Sequence, residues 1–99
     1  MNIRFYFQKI SEADKENLEK YFNDKKLNRL EKLLQHGNLE LAKFVLNAKY
    51  HAHHHIFLVR LRLEIKDKNM RAEENSQNLI EAFDLAFDNL IRQLKKSGR

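Results

Sequence analysis

Leu79, Ile80, Phe83, Ala86, Phe87, Leu90, Ile91 and Leu94 recur at helical spacing, so the last third of the chain predicts a helix with one continuous apolar face. The opposite stripe runs Glu81, Asp84, Asp88, Arg92, Lys95 and Arg99, acidic first and basic last. Such a helix docks by one side on an apolar layer and presents a cationic tip outward. The layer is supplied upstream, where the period of the pattern changes from helical to alternating.

Ile3, Phe5 and Phe7 alternate with Arg4, Tyr6 and Gln8, which predicts a half-buried strand. From Ala42 to His51, Ala42, Phe44, Leu46, Ala48 and Tyr50 alternate with Lys43, Val45, Asn47 and Lys49. Phe57, Val59, Leu61, Leu63 and Ile65 then alternate with Leu58, Arg60, Arg62, Glu64 and Lys66. Asp67-Lys68-Asn69 reads as a turn, and Met70 and Ala72 predict a short fourth strand with Arg71 outward. Ser76 or Asn78 caps the last helix.

Between the first two strands lies another helix, with Ser11 as its N-cap and Glu12, Asp14 and Glu16 near its start, where the helix dipole favours acids. His36-Gly37-Asn38 is its expected stop, with His36 as a cap partner. Its apolar phase slips: Leu18, Tyr21 and Phe22 share a face, but the next apolar residues are Leu27 and Leu30, not 26 and 29. One residue too many sits in Asn23-Asp24-Lys25-Lys26, which predicts a bulge or kink there.

The expected fold class is therefore α+β, in the order β-α-β-β-β-α, with a four-stranded sheet and two helices packed on one face, like a double-stranded-RNA-binding domain. Residues 1–99 read as a single domain. The open sheet face carries Arg4, Lys43, Lys49, Arg60, Arg62, Lys66 and Arg71 with Tyr6, and Arg60 and Arg62 are candidate RNA contacts on it. Lys and Arg total 19 against 14 Asp and Glu, a net charge of +5, which favours a polyanion as partner. The cationic tip of the last helix, Arg92, Lys95 and Lys96, admits two readings. Cations at a helix C-terminus stabilise the helix dipole, and the same cations can meet phosphates.

Other functions find little support. Two glycines, Gly37 and Gly98, are too few for a phosphate-cradling loop of the Walker or dinucleotide type. There is no cysteine, hence no disulfide and no thiol nucleophile. Ser11, Ser76 and Ser97 have no nearby His with an orienting acid, and Glu73 and Glu74 diverge from a strand, so no enzyme activity and no cofactor are expected. In an extended segment His51, His53 and His55 point one way, a set able to ligate Zn²⁺. No cysteine or sequence-near carboxylate completes it, so the segment around residues 51–55 reads as an exposed turn without metal. No apolar run is long enough to span a bilayer, and the N-terminus lacks a secretory h-region, so a cytoplasmic protein with no membrane partner is expected.

The order of elements and two local motifs resemble the ribosome hibernation promoting factor family, also called ribosome-associated inhibitor A or sigma-factor modulation proteins. The first motif is Ala72-Glu73, Asn78-Leu79, Ala82-Phe83-Asp84, Asp88-Asn89-Leu90, Arg92-Gln93-Leu94 and Lys96. The second is Lys26-Leu27-Asn28-Arg29-Leu30-Glu31-Lys32. The resemblance implies a translation inhibitor that binds the small ribosomal subunit in the channel used by mRNA and tRNA. It implies contacts to ribosomal RNA from Lys26, Arg29 and Lys32 on the first helix and from Arg92 and Lys96 on the last, with no small-molecule substrate. The length matches the short form of the family, and a monomer is expected. In three places the sequence departs from the family pattern. Phe7 and Gln8 stand in the region where a glycine is usual, the connection into the first helix matches poorly, and the His-rich hairpin has no counterpart. The alternatives are a general RNA-binding or RNA-chaperone module, or a protein-interaction module on the same fold.

Overall fold

The structure, a computed structural model, describes residues 1–34, 40–66 and 68–97. Strands β1 (Asn2–Gln8), β2 (Lys43–His51), β3 (Ile56–Ile65) and β4 (Lys68–Ser76) form one sheet in that order. β1 and β2 are parallel, joined by the first helical rod, and the other two pairings are antiparallel. Helices α1 (Glu12–Tyr21) and α2 (Leu27–Leu33) make up that rod, and α3 (Leu79–Ser97) follows β4. This is the expected β-α-β-β-β-α arrangement with both rods on one face. Among the described residues no helix is long and apolar enough to cross a membrane.

The phase slip of the first rod is a π turn at Phe22–Lys26, between α1 and α2. The Leu27 N–H donates to the Phe22 carbonyl, five residues back instead of four, so the turn absorbs the extra residue. Leu18 before it, Phe22 at its start, and Leu30 and Leu34 after it thereby reach the same buried line. Phe22 is the hub of the core. Its ring stacks on Phe44 at 5.0 Å and meets the edges of Phe5 at 5.6 Å and Phe83 at 6.1 Å, tying β1, β2 and both rods together. Each such aromatic pair contributes about 0.5–1.5 kcal/mol beyond the area it buries.

The alternation of the strands is obeyed throughout: Phe44, Leu46, Ala48, Val59, Leu61 and Leu63 are buried under the helices. Two local expectations need correction. β4 is not short; it pairs with β3 from Lys68 opposite Ile65 to Ser76 opposite Phe57, because the ten-residue β3 offers partners along its whole length and Arg60 meets Glu73 across it. Lys68 and Asn69 consequently belong to the strand, not to the turn before it. The exposed turn expected around residues 51–55 is present: Ala52–His55 is a four-residue turn closed by the His54 N–H on the His51 carbonyl, with His55 left-handed at φ 51°. Among the described residues no three His, Cys, Asp or Glu side chains come together as a metal site. The expected stop at His36-Gly37-Asn38 and the terminal Arg99 lie outside the described residues. Asn78 caps α3 through its side-chain oxygen on the Glu81 N–H, while the Ser76 hydroxyl accepts from the Asn78 N–H and donates to the Glu81 carboxylate. Both capping candidates are thus used.

The first strand ends regularly. Phe7 and Gln8 pair with Ala48 and Lys49, and the chain turns one residue later, where Lys9 takes φ 57°. That left-handed conformation crowds a side chain and favours glycine.

Candidate nucleic-acid interface

The two rods run in the same direction. Tyr21 meets Asp84 and Phe83, and five residues on, Lys26 meets Asp84 and Phe87, so contacts advance together along both. Their C-terminal ends therefore lie at one end of the molecule. α1 begins with Glu12 and Asp14, α3 with Glu81, and the cations of both rods follow. Arg29 and Lys32 on α2 and Arg92, Lys95 and Lys96 on α3 are exposed and have no ion pair among the described residues. Lys95 lies eleven positions after Asp84, three turns to within about 20°, so it borders the seam between the rods. Arg92 is turned further round, away from the sheet.

Lys26 behaves differently from the other expected contacts. Its side chain is 18% exposed, its Nζ lies 3.5 Å from Asp84 Oδ1, and it stands 5.7 Å from the ring centroids of both Tyr21 and Phe87. The ammonium clamps the two rods together, with its stem laid on aromatic surface. The signal was present in the sequence: Lys26 is four residues after Phe22 and four before Leu30, at the edge of the apolar line on either side of the π turn. The Tyr21 hydroxyl joins the same clamp, donating to the Asp84 carboxylate with its oxygen 2.8 and 2.9 Å from the two carboxylate oxygens. Burial, that hydrogen bond, and the negative charges of Asp84 and Asp88 push the phenol up from 10.0 to about 12. No local pattern reveals this pair, since its members stand 63 positions apart.

Asp84 is thus engaged by Tyr21 and Lys26 within the seam, while the basic ends remain unneutralised. The acid-to-base stripe becomes a molecule whose helical layer is cationic at one end. On the far side of α3, Gln93 donates to the Arg71 carbonyl at 2.6 Å and to Asn89 at 3.1 Å, fastening the helix to the edge strand just before its basic tip.

Arg60 and Arg62 do not join this cluster. They lie on the open face of the sheet, where Arg60 pairs with Glu73 at 3.2 Å and Arg62 with Glu64 at 3.6 Å, the four side chains between 38% and 63% exposed. Exposed pairs of this kind contribute about 0–1 kcal/mol, so both guanidinium groups stay available to a stronger anion. The residues expected to contact RNA therefore fall on two surfaces, one at the helix ends and one on the sheet.

The arrangement of chain is shared by solved structures. The N-terminal domain of Protein Y from Thermus thermophilus superposes with a TM-score of 0.73 at 21% identity, covering 97% of this chain and 98% of that one. A ribosomal subunit interface protein from Coxiella burnetii superposes with a TM-score of 0.69 at 19% identity, covering 99% of this chain and 98% of the other. At these identities the likeness establishes the fold. No curated protein matches the sequence significantly. Residues 8–99, which include both rods, strands β2 to β4 and the last residue of β1, match one family throughout, and the chain belongs to the Sigma 54 modulation protein / S30EA ribosomal protein family.

Proposed function

We propose that the protein associates with the ribosome and inhibits translation by occupancy, its helix ends bound to ribosomal RNA of the small subunit in the channel that mRNA and tRNA use. The observation that carries this reading is the convergence of Arg29, Lys32, Arg92, Lys95 and Lys96 at one end of two parallel rods, unneutralised, in a chain of this family. Unpaired cations fixed on rigid helices attract phosphate strongly, and the affinity they confer falls steeply with salt. The rods hold these side chains by a packed core, so binding needs no ordering of the backbone. Lys26 contributes by fixing the seam. On this reading the protein acts as a monomer in the cytoplasm, needs no cofactor and catalyses no reaction.

The test is co-sedimentation with purified ribosomes. Arg92→Glu with Lys96→Glu reverses two charges of the cluster and should weaken binding by about a hundredfold, because each change removes a phosphate contact and adds a repulsion. The same variant loses about 1 kcal/mol of helix-dipole stabilisation and keeps its fold, as circular dichroism will show. Unchanged sedimentation would sink the assignment of the helix ends.

A further inference from the structure

The open face of the sheet carries a pattern that the helix ends do not explain. Strand register sets Arg4, Val45, Arg62 and Arg71 in one row from β1 to β4, and Tyr6, Asn47, Arg60 and Glu73 in the next. Arg62 and Arg71 stand directly opposite each other, a placement that disfavours the sheet when the charges are alike. Glu64, 3.6 Å from Arg62, is a weak compensation, and Arg4 and Arg71 have no ion pair among the described residues. On this face Arg4, Lys43, Lys49, Arg60, Arg62 and Arg71 face two acids, Glu64 and Glu73. Tyr6 is 48% exposed beside them. Two shallow cavities adjoin here, one of about 480 Å³ along Arg60, Arg62 and Arg71 and one of about 320 Å³ along Tyr6, Lys49 and Arg60. Both are lined by Asn47 and Arg60, so they form one groove across the sheet.

We infer that this groove is a second RNA-binding surface and that it takes a single strand. Arg4, Arg62 and Arg71 hold phosphates, and the Arg62–Arg71 repulsion is relieved by an anion lying between them. Tyr6 stacks on a base, and the Asn47 amide reaches a base edge. Strands stand about 4.8 Å apart, so the row from Arg4 to Arg71 spans about 14 Å, the length of a few nucleotides. A duplex keeps its base faces stacked inside and offers Tyr6 nothing to stack on, whereas a single strand exposes them. The inference rests on the reading of the protein as an RNA binder, but not on where the helix ends meet the ribosome.

Fluorescence anisotropy with labelled oligouridine tests it, using the whole chain. Arg71→Glu removes one cation and engages Arg62 opposite it, so affinity should fall at least about tenfold and the slope of log affinity against log salt should flatten by about 1.4, two phosphates' worth. The substitution converts an opposed like pair into an opposed ion pair, so the variant should melt no lower than the parent, and its loss of binding is not unfolding. Tyr6→Ala should weaken binding about tenfold and leave the salt slope unchanged, a split that a general loss of charge does not produce. Wild-type affinity in both variants overturns the inference. So does preference for duplex RNA, or displacement of oligouridine by poly-glutamate as readily as by unlabelled RNA, which would mark an acidic protein as the occupant. If Arg92→Glu with Lys96→Glu abolishes oligouridine and ribosome binding together while Arg71→Glu changes neither, the sheet face falls and the helix-end reading stands.

Discussion

The first helical rod and α3 both begin acidic and end basic and lie side by side in the same direction, yet only the first carries an extra residue in its middle. α3 keeps one apolar stripe from Leu79 to Leu94 without interruption. The first rod changes phase at Phe22–Lys26 and recovers its stripe through the π turn. The two rods therefore contribute differently. α3 is a rigid carrier that places Arg92, Lys95 and Lys96 at fixed intervals. The first rod uses its irregular turn to place Tyr21 and Lys26 against Asp84 in the seam, so that one of its cations serves cohesion while Arg29 and Lys32 beyond the turn stay exposed.

Single-residue deletions should affect the two rods very differently. Removing Asp88 rotates Leu90, Ile91 and Leu94 by about 100° away from the core, with an expected loss of several kcal/mol and an unfolded or molten chain at room temperature. Removing Asp24 replaces the π turn by an ordinary α turn and leaves both halves of the first rod in phase, so the chain should remain folded and lose about 1 kcal/mol. Urea unfolding of the two deletions measures the contrast. Equal destabilisation would mean that the π turn matters for more than phase.

Asp84→Asn tests the seam itself. It leaves Tyr21 a neutral acceptor but removes the charge that Lys26 pairs with and that strengthens the phenol's hydrogen bond, with an expected loss of about 1 kcal/mol. The phenol of Tyr21, pushed up to about 12, should titrate lower, though not at 10.0, because burial, the largest cause, remains. Ultraviolet titration of the phenolate reads this directly. The sign of the pH effect follows from the upward shift. Below pH 10 both folded and unfolded chains carry the neutral phenol and the contribution is fully present. Between about 10 and 12 the unfolded chain ionises first, so stability falls as pH rises. That alkaline loss should shrink in Asp84→Asn.

The smallest effect is expected away from both rods. Lys9→Gly relieves the left-handed backbone at φ 57° and should stabilise the chain by about 0.5–1 kcal/mol, the relief of side-chain crowding exceeding the added freedom of the unfolded state. Thermal melting checks it, and a lower melting temperature would contradict it.

Much of this architecture is legible in the residues themselves. The strands announce themselves through period-two alternation, and the π turn through an apolar interval one residue too long, because both depend on neighbours close in sequence. The length of β4 is not legible from Lys68, Asn69, Glu73 and Asn75, poor strand formers that pair only because β3 is there to receive them. The partition of the basic residues is legible only in part. Alternation places Arg60 and Arg62 on the open face, and the charge stripe places Arg92 and Lys95 at a helix tip. That Lys26 is drawn into the seam depends on Asp84, far away in sequence, and on the two rods running in the same direction.

On the proposed reading the cationic helix ends occupy the small-subunit channel in place of tRNA. Sedimentation of the protein with isolated small subunits, with and without saturating tRNA and at low and high salt, tests it most directly. Binding at low salt that raised salt weakens and tRNA displaces is expected. Binding that persists unchanged in the presence of tRNA would contradict it.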